Sequence, residues 1–306
     1  MPLAAITGAT GFIGGVIAQK LLAQGWQVCA LSRSASSAER LKNAGLTPVS
    51  DDLDNPDSLH KLMQSCDAVV HCAGAVRGAS YADFEATNVS GTEQLIAAMP
   101  DKQLPLVLLS SLAAREPGLS HYARSKREME TLLDSADAPP TCLVLRPPPV
   151  YGPGDRELMP LFQAFEKGLA PLPAPADARV SLIYVDDLAA AVVAWLQRKN
   201  RSSGVYEIHD GQPQGYTWDE VVAVAEKLLN RRIRKIHLPS APLRLWGRAN
   251  AQASRILGYA PMLTPGKVRE LRHANWVCDN ADLQKMLDWY PQVSLSEGLQ
   301  RTCGWG

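Results

Sequence analysis

The strongest constraint on the fold is a short glycine-rich turn near the start of the chain. Thr7-Gly8-Ala9-Thr10-Gly11-Phe12-Ile13-Gly14 follows an apolar strand-like run, Leu3–Ile6, and opens a helical stretch that reaches about Gln24. In such a turn Gly8 supplies the tight backbone angles, Gly11 lets the chain approach a pyrophosphate, and Gly14 lets the helix pack close to the sheet. Free amides at the helix N-terminus favour the anion. The glycine spacing is a weak signal alone, and the strand before it and helix after it supply the required context. The segment is therefore predicted to hold a dinucleotide, with Gly8, Thr10, Gly11, Phe12, Ile13 and Gly14 around the phosphates.

The rest of the first half repeats this strand–helix rhythm. Short apolar runs at 27–31, 47–50, 68–72, 106–110 and 142–146 alternate with helical stretches at about 57–65, 83–99 and 121–134. Alternation of this kind predicts an α/β fold with a doubly wound, Rossmann-type parallel sheet. Apolar runs without strict alternation suit strands covered on both faces. After Arg146 the texture changes to loop signals, Pro147-Pro148-Pro149, Gly152-Pro153-Gly154, then Pro171, Pro173 and Pro175. A strand-like run at 180–185, a helix at 187–197 and the run Gly204–Ile208 are expected to return to the sheet, and the chain from about Thr217 reads as helix-rich. The expected division is discontinuous. Residues 1–150 plus about 180–210 form the nucleotide-binding unit, and about 151–179 plus 211–306 form a smaller, mostly helical substrate lobe.

The second strand ends at Ser32-Arg33-Ser34, with Ser32 where a carboxylate would grip the ribose 2′-hydroxyl of NAD. Arg33 suits a 2′-phosphate instead, which favours NADP over NAD. Tyr122 and Lys126 stand four apart, on one face of a helix. A phenol titrates near pKa ~10, and a nearby ammonium lowers that value, fitting it for proton transfer. The run Leu106–Leu109 delivers Ser110 and Ser111 to the same sheet edge, where a hydroxyl can hold a substrate oxygen. Either serine suits the role, and Ser111 is preferred.

Composition excludes several classes. Lys plus Arg and Asp plus Glu are equal at 31 each, so no overall field draws nucleic acid or an anionic membrane. The basic run Arg231-Arg232-Ile233-Arg234-Lys235 reads as a solvated helix end and the following strand. Six scattered cysteines lack a Cys-x-x-Cys pair and suggest neither a disulfide scaffold nor a metal site. The first apolar stretch runs straight into the turn, unlike a signal peptide, and the longest apolar helix, Leu188–Leu196, is too short to span a bilayer. A cytoplasmic protein without a membrane span or nucleic-acid partner is expected, acting on a small molecule.

With these residues in place the chain resembles an extended short-chain dehydrogenase/reductase, of the NAD-dependent epimerase/dehydratase family and its 3β-hydroxysteroid-dehydrogenase-like branch. The turn at 7–14, Asp52-Leu53, His71-Cys72-Ala73-Gly74 and Asn88-Val89-Ser90-Gly91-Thr92 are similar to its cofactor segments. Ser111, Tyr122 and Lys126 match its catalytic trio, Arg146 to Asp155 its segment beside the nicotinamide, and Val185-Asp186-Asp187-Leu188 its Val-Asp-Asp element. The resemblance implies Tyr122 as acid/base, Lys126 holding the nicotinamide ribose and depressing the phenol's pKa, and Ser111 positioning the substrate oxygen. It places Asp52, Leu53, Ala73, Gly74, Asn88, Ser110, Pro149 and Val150 along the cofactor. A homodimer through the helices 83–99 and 121–134 is implied too. The segment Ser111-Leu112-Ala113 departs from the dehydratases' Thr-Asp-Glu, and only eleven positions separate Ser111 from Tyr122, fewer than in sugar-nucleotide epimerases.

Elsewhere, Asp186 and Asp187 are expected to stabilise the N-terminus of the helix they begin, and His71 to pack. Asn88 favours a cofactor or water contact over a purely structural one. Trp246, Trp276, Trp289, Leu243, Leu245, Ile256 and Leu257 are expected mainly in the core, with 241–258 the best candidate wall for an apolar substrate pocket; no sugar-diphosphate clamp is resolved there, although Arg244, Arg248 and Arg255 could contribute to one. The reading that leads is an NADP(H)-preferring oxidoreductase on a carbonyl or secondary alcohol. A nucleotide-sugar epimerase with retained NAD and a non-catalytic NAD(P)-binding sensor or assembly factor are the alternatives.

Overall fold

A computed structural model describes residues 1–101, 104–134 and 140–306. Seven strands build a parallel central sheet: β1 (Leu3–Thr7), β2 (Gln27–Ser32), β3 (Thr47–Ser50), β4 (Ala68–His71), β5 (Leu106–Leu109), β6 (Cys142–Arg146) and β7 (Gly204–Glu207). Their order is β7-β6-β5-β4-β1-β2-β3. Strand order reverses between β1 and β4, and connections leaving that point in opposite directions open a crevice at the strands' C-terminal ends. Register pairs Thr7 with His71 there.

Burial on both faces explains the strands' unbroken apolar runs. In β1, Ala4 and Ile6 enter one core and Ala5 the other. The first face is covered by α1 (Phe12–Ala23), through Ile17 and Leu21, and by a later helix carrying Leu188 and Trp195. Ahead of the second face come α2 (Ala35–Asn43) and α3 (Pro56–Met63). Next is α4, formed by Ala82–Glu85, a π turn at Ala86–Ser90 and Gly91–Ala97. After β5 comes α5 (His121–Asp134). Leu59, Leu95 and Met129 fill that core from α3, α4 and α5.

Helix α2 was not expected, because its sequence is serine-rich and carries little apolar periodicity. Its start is nevertheless well capped: Ser34 accepts from the Ser37 amide at 3.2 Å, while the Ser37 hydroxyl accepts from the Ser34 amide at 3.1 Å. A serine takes the third position usually held by Glu or Gln.

Past β6 follow α6 (Met159–Glu166), α7 (Val185–Gln197), α8 (Trp218–Leu229), α9 (Ser240–Leu257), α10 (Pro265–Leu271), α11 (Ala281–Leu287) and α12 (Leu295–Cys303). The run Gly204–Glu207 joins the sheet beside β6, in parallel, as expected. The run at 180–185 does not. Arg179–Val180 pairs with 216–217 and 275–276, and Ile183–Tyr184 pairs with Val150–Tyr151, in small separate ribbons. These runs of two residues are too short for the main sheet and instead border a third core around Tyr151, Phe162 and Leu299.

Asp186 and Asp187 both stand in the first turn of α7, as expected, and Asp187 also accepts from the backbone amides of Gln292 at 3.1 Å and Val293 at 2.9 Å, so it fastens the C-terminal segment to α7. One expectation about side chains is corrected. Of the apolar residues expected in the core, Leu243 and Trp289 are buried and Trp276 is half-buried, whereas Leu245, Trp246, Ile256 and Leu257 are exposed. Only the Leu243, Gly247, Ser254 side of α9 is buried. No described helix is long and apolar enough to cross a membrane.

Candidate active site

The turn after β1 shows why its glycines stand where they do. Gly8 has φ +76°, and a Cβ on it would lie 2.5 Å from the Ala73 amide nitrogen, so the turn presses against the loop leaving β4. A Cβ on Gly14 would lie 2.4 Å from the Gly8 carbonyl oxygen, so this glycine lets the helix close on the turn itself. Gly11 begins α1 without a side-chain cap, and no acidic residue occupies the helix's first turn. Its leading amides are thus available to an anion beside exposed Thr10 and Gly11. Phe12 and Ile13 are half-buried, and Phe12 packs toward Gly152 and Gly154 beyond Pro149 and Val150. These features fit a dinucleotide pyrophosphate.

At the end of β2, Ser32 is buried, and its hydroxyl meets that of Ser37 at 2.6 Å and the Ser34 carbonyl at 3.1 Å. Arg33 is exposed. After β3, the Asp52 carboxylate accepts from the Leu53 amide at 2.8 Å, and Leu53 is buried against the second core. Past β4, Asn88 is fully buried in the π turn. Its Oδ1 accepts from the Ala75 amide at 2.8 Å, and its Nδ2 donates to the Ala75 carbonyl at 3.0 Å and to Ser125 Oγ at 2.9 Å. Asn88 therefore ties the Ala73–Ala75 loop to α5. His71 packs, as expected: its ring bonds Thr7 at 2.7 Å and Thr92 at 3.0 Å. Burial and the Lys126 charge push it down to about 3.

The two serines after β5 part company. Ser110 is buried and donates to Glu130, which is also held by Arg146 at 2.9 and 2.5 Å. Ser111 instead accepts from the Ala113 amide at 3.2 Å, and its hydroxyl acts on the Tyr122 phenol, favouring the phenolate. Lys126, on the same helix, is buried and donates to the Leu109 carbonyl at 2.9 Å. A Cβ at exposed Gly74 would sit 3.2 Å from Lys126 Nζ and 3.1 Å from Asn88 Oδ1, so a larger residue there would crowd both.

The electrostatics of the phenol differ from expectation. Burial holds Tyr122 above its ordinary value, opposed by the Ser111 hydrogen bond and the charge of Lys267, with Glu270 and Glu157 adding to the rise. The lysine acting on the phenol is thus Lys267, because the Lys126 ammonium is aimed at the Leu109 carbonyl. Burial brings Lys126 down to about 8, with Cys72 and Glu130 pulling the other way. A phenol kept protonated is suited to give a proton to a carbonyl oxygen.

Sequence reasoning passed over α10. Glu270 is buried, accepts from Ser120 and pairs with Lys267 at 3.0 Å, while Arg269 donates to the Leu119 carbonyl at 2.7 Å. Ser120 in turn caps α5 by accepting from the Ala123 amide at 2.9 Å. A cavity of about 360 Å³ opens between these elements, reaching Tyr122 and Phe84 and walled by Arg248, Gln252, Arg255, Met262 and Lys267. The expected wall at 241–258 is therefore present, but through the polar flank of α9. Arg248 and Arg255 line the cavity, while Arg244 lies outside it near Ser240.

The family model described as "NAD dependent epimerase/dehydratase family" matches residues 4–208. A ceramide reductase of Caulobacter vibrioides is 32% identical over 301 residues, covering 98% of this chain and 93% of the relative. A 2-alkyl-3-oxoalkanoate reductase of Stenotrophomonas maltophilia is 26% identical, with 97% of each chain covered. Among solved structures, a UDP-glucuronic acid 4-epimerase from Bacillus cereus superposes with a TM-score of 0.74 at 21% identity, over 98% of this chain and 97% of that one. At that identity the structural likeness bears on the fold alone. With its strand order, its glycine turn and these relatives, the chain belongs to the NAD dependent epimerase/dehydratase family, and is an NAD(P)-dependent enzyme of oxidoreductase or epimerase type.

Proposed function

We propose that the protein is an NADPH-preferring reductase of a ketone carried on a long alkyl or lipid chain. The observation that carries this reading is the half-buried Tyr122 phenol, kept protonated by desolvation and acted on by the Ser111 hydroxyl, on the wall of a cavity. The printed activities of the ceramide and oxoalkanoate reductases support the substrate class.

Gly8, Gly11 and Gly14 would hold the pyrophosphate against the start of α1, with Thr10, Phe12 and Ile13 beside it. Asp52 and Leu53 would border the adenine. Ala73, Gly74, Asn88, Ser110, Pro149 and Val150 would shape the path toward the nicotinamide, and exposed Arg33 would meet a 2′-phosphate. When bound, the cofactor supplies the hydride. Ser111 orients the substrate oxygen, Tyr122 gives that oxygen its proton, and Lys126 holds the nicotinamide ribose. Residues 1–150 with about 180–210 would form the cofactor unit, and the remainder the substrate lobe.

The test is NADPH and NADH titration followed by turnover of long-chain ketones. Tyr122→Phe should abolish net coenzyme oxidation while leaving cofactor binding in place, and Arg33→Ala should weaken NADPH about tenfold, as expected for one charge-assisted contact, without changing NADH. Full turnover in Tyr122→Phe refutes the assignment. Epimerised product without net coenzyme change would replace it with an epimerase.

A further inference from the structure

Helix α9 is built inside out. Three of its stripes repeat at intervals of four and seven residues: Leu243, Gly247 and Ser254 face the protein, Arg244, Arg248 and Arg255 form the next stripe, and Leu245, Ala249 and Ile256 face outward. Spacings of this kind align side chains along one face of a helix. The outward residues are large and solvated, with Leu245 at 70%, Trp246 at 66%, Ile256 at 85% and Leu257 at 72% exposure. Scattered exposed leucines need no explanation, but a continuous apolar arc on one helix does.

Charge indicates what covers it. From Lys227 to Arg269 the chain carries ten Lys and Arg and no Asp or Glu, although its formal net charge is zero. Within α9 the arginine stripe borders the apolar arc, and the charge of one member, Arg255, acts on the Asp83 carboxylate. An apolar face edged by arginines, with a tryptophan on its flank, is the pattern of helices that lie in the headgroup region of an anionic bilayer. A second copy packed antiparallel on this face would bring two arginine stripes together, which disfavours that pairing.

We infer that α9 docks the protein onto an anionic lipid surface, with Leu245, Trp246, Ile256 and Leu257 entering the interface and Arg244 and Arg248 meeting lipid phosphates. The docking surface stands without the reductase reading. Its consequence rests on that reading: Arg248 and Arg255 also line the cavity that leads to Tyr122, so a lipid ketone would pass from the bilayer into the site along the helix that binds the bilayer.

Cosedimentation with phosphatidylcholine vesicles, with and without phosphatidylglycerol, tests the docking, alongside NADPH oxidation with a short, water-soluble ketone. Wild type should bind the phosphatidylglycerol vesicles, more weakly at high salt and little to phosphatidylcholine alone. The double variant Leu245→Ser, Ile256→Ser should lose about tenfold or more of that partition, while its Tm and its turnover of the soluble ketone stay at wild-type levels. No binding by wild type, or equal binding by the variant, overturns the proposal. So does sedimentation equilibrium showing a dimer that this variant dissolves. Loss of ketone turnover in wild type with vesicle binding retained would instead strike the proposed function and leave the docking surface standing.

Discussion

Replacing Ser110 and Ser111 separately should divide stability from activity. Ser110→Ala removes a buried hydrogen bond to the Glu130 carboxylate, and bonds to charged groups contribute about 1.5–3 kcal/mol. Glu130 keeps both Arg146 contacts, so it is not left unpaired and the loss should fall near the lower end, about 1.5 kcal/mol. For a chain of this size that is a fall of roughly 2–3 °C in Tm. Turnover should stay within about threefold of wild type, since Tyr122 and Ser111 are untouched. Ser111→Ala removes a donor aimed at the phenol and at the place of the substrate oxygen, a loss of about 100-fold or more in kcat by analogy with single donors to a reacting oxygen. It also gives up a 3.2 Å cap to the Ala113 amide, which on a single short turn should cost about 0.5 kcal/mol, less than the Ser110 bond. Differential scanning calorimetry and steady-state NADPH oxidation read the two effects. The reasoning fails if Ser110→Ala abolishes turnover at unchanged Tm, because the hydroxyl bonded to Glu130 would then be the one that reacts.

Two further changes probe the surroundings of the site. Gly8→Ala should cost about 2–5 kcal/mol in urea unfolding, combining a positive φ (about 1–2 kcal/mol) with a clash against the Ala73 and Cys72 backbone (about 1–3 kcal/mol). Gly25→Ala, at φ +78° with open space around it, should cost only the first part, and equal losses in the two variants would contradict the packing argument. Lys267→Met removes a positive charge that favours the phenolate, so the Tyr122 phenol should titrate higher still. In the alcohol-oxidising direction, where Tyr122 must be deprotonated, the rise of kcat with pH should move to higher pH, and an unmoved profile would show that Lys267 does not act on the phenol.

Local spacing determined much of this protein. The cofactor turn, the strand–helix alternation and the Tyr122–Lys126 pair are each written within a few consecutive residues, where backbone geometry alone decides who faces whom. Both-face burial of the strands was legible because it leaves unbroken apolar runs. Tertiary structure decided what depends on partners far along the chain. Ser110 and Ser111 are chemically equal neighbours until Glu130 and Arg146 claim one and Tyr122 takes the other. Lys267 and Glu270 reach the N-terminus of α5 from 150 residues downstream of Ser120, a distance over which no local pattern operates. The apolar residues of α9 show the limit most clearly, because periodicity marks the stripes of a helix but only packing shows which stripe the protein covers. There it covered Leu243, Gly247 and Ser254 and left the larger apolar stripe to solvent.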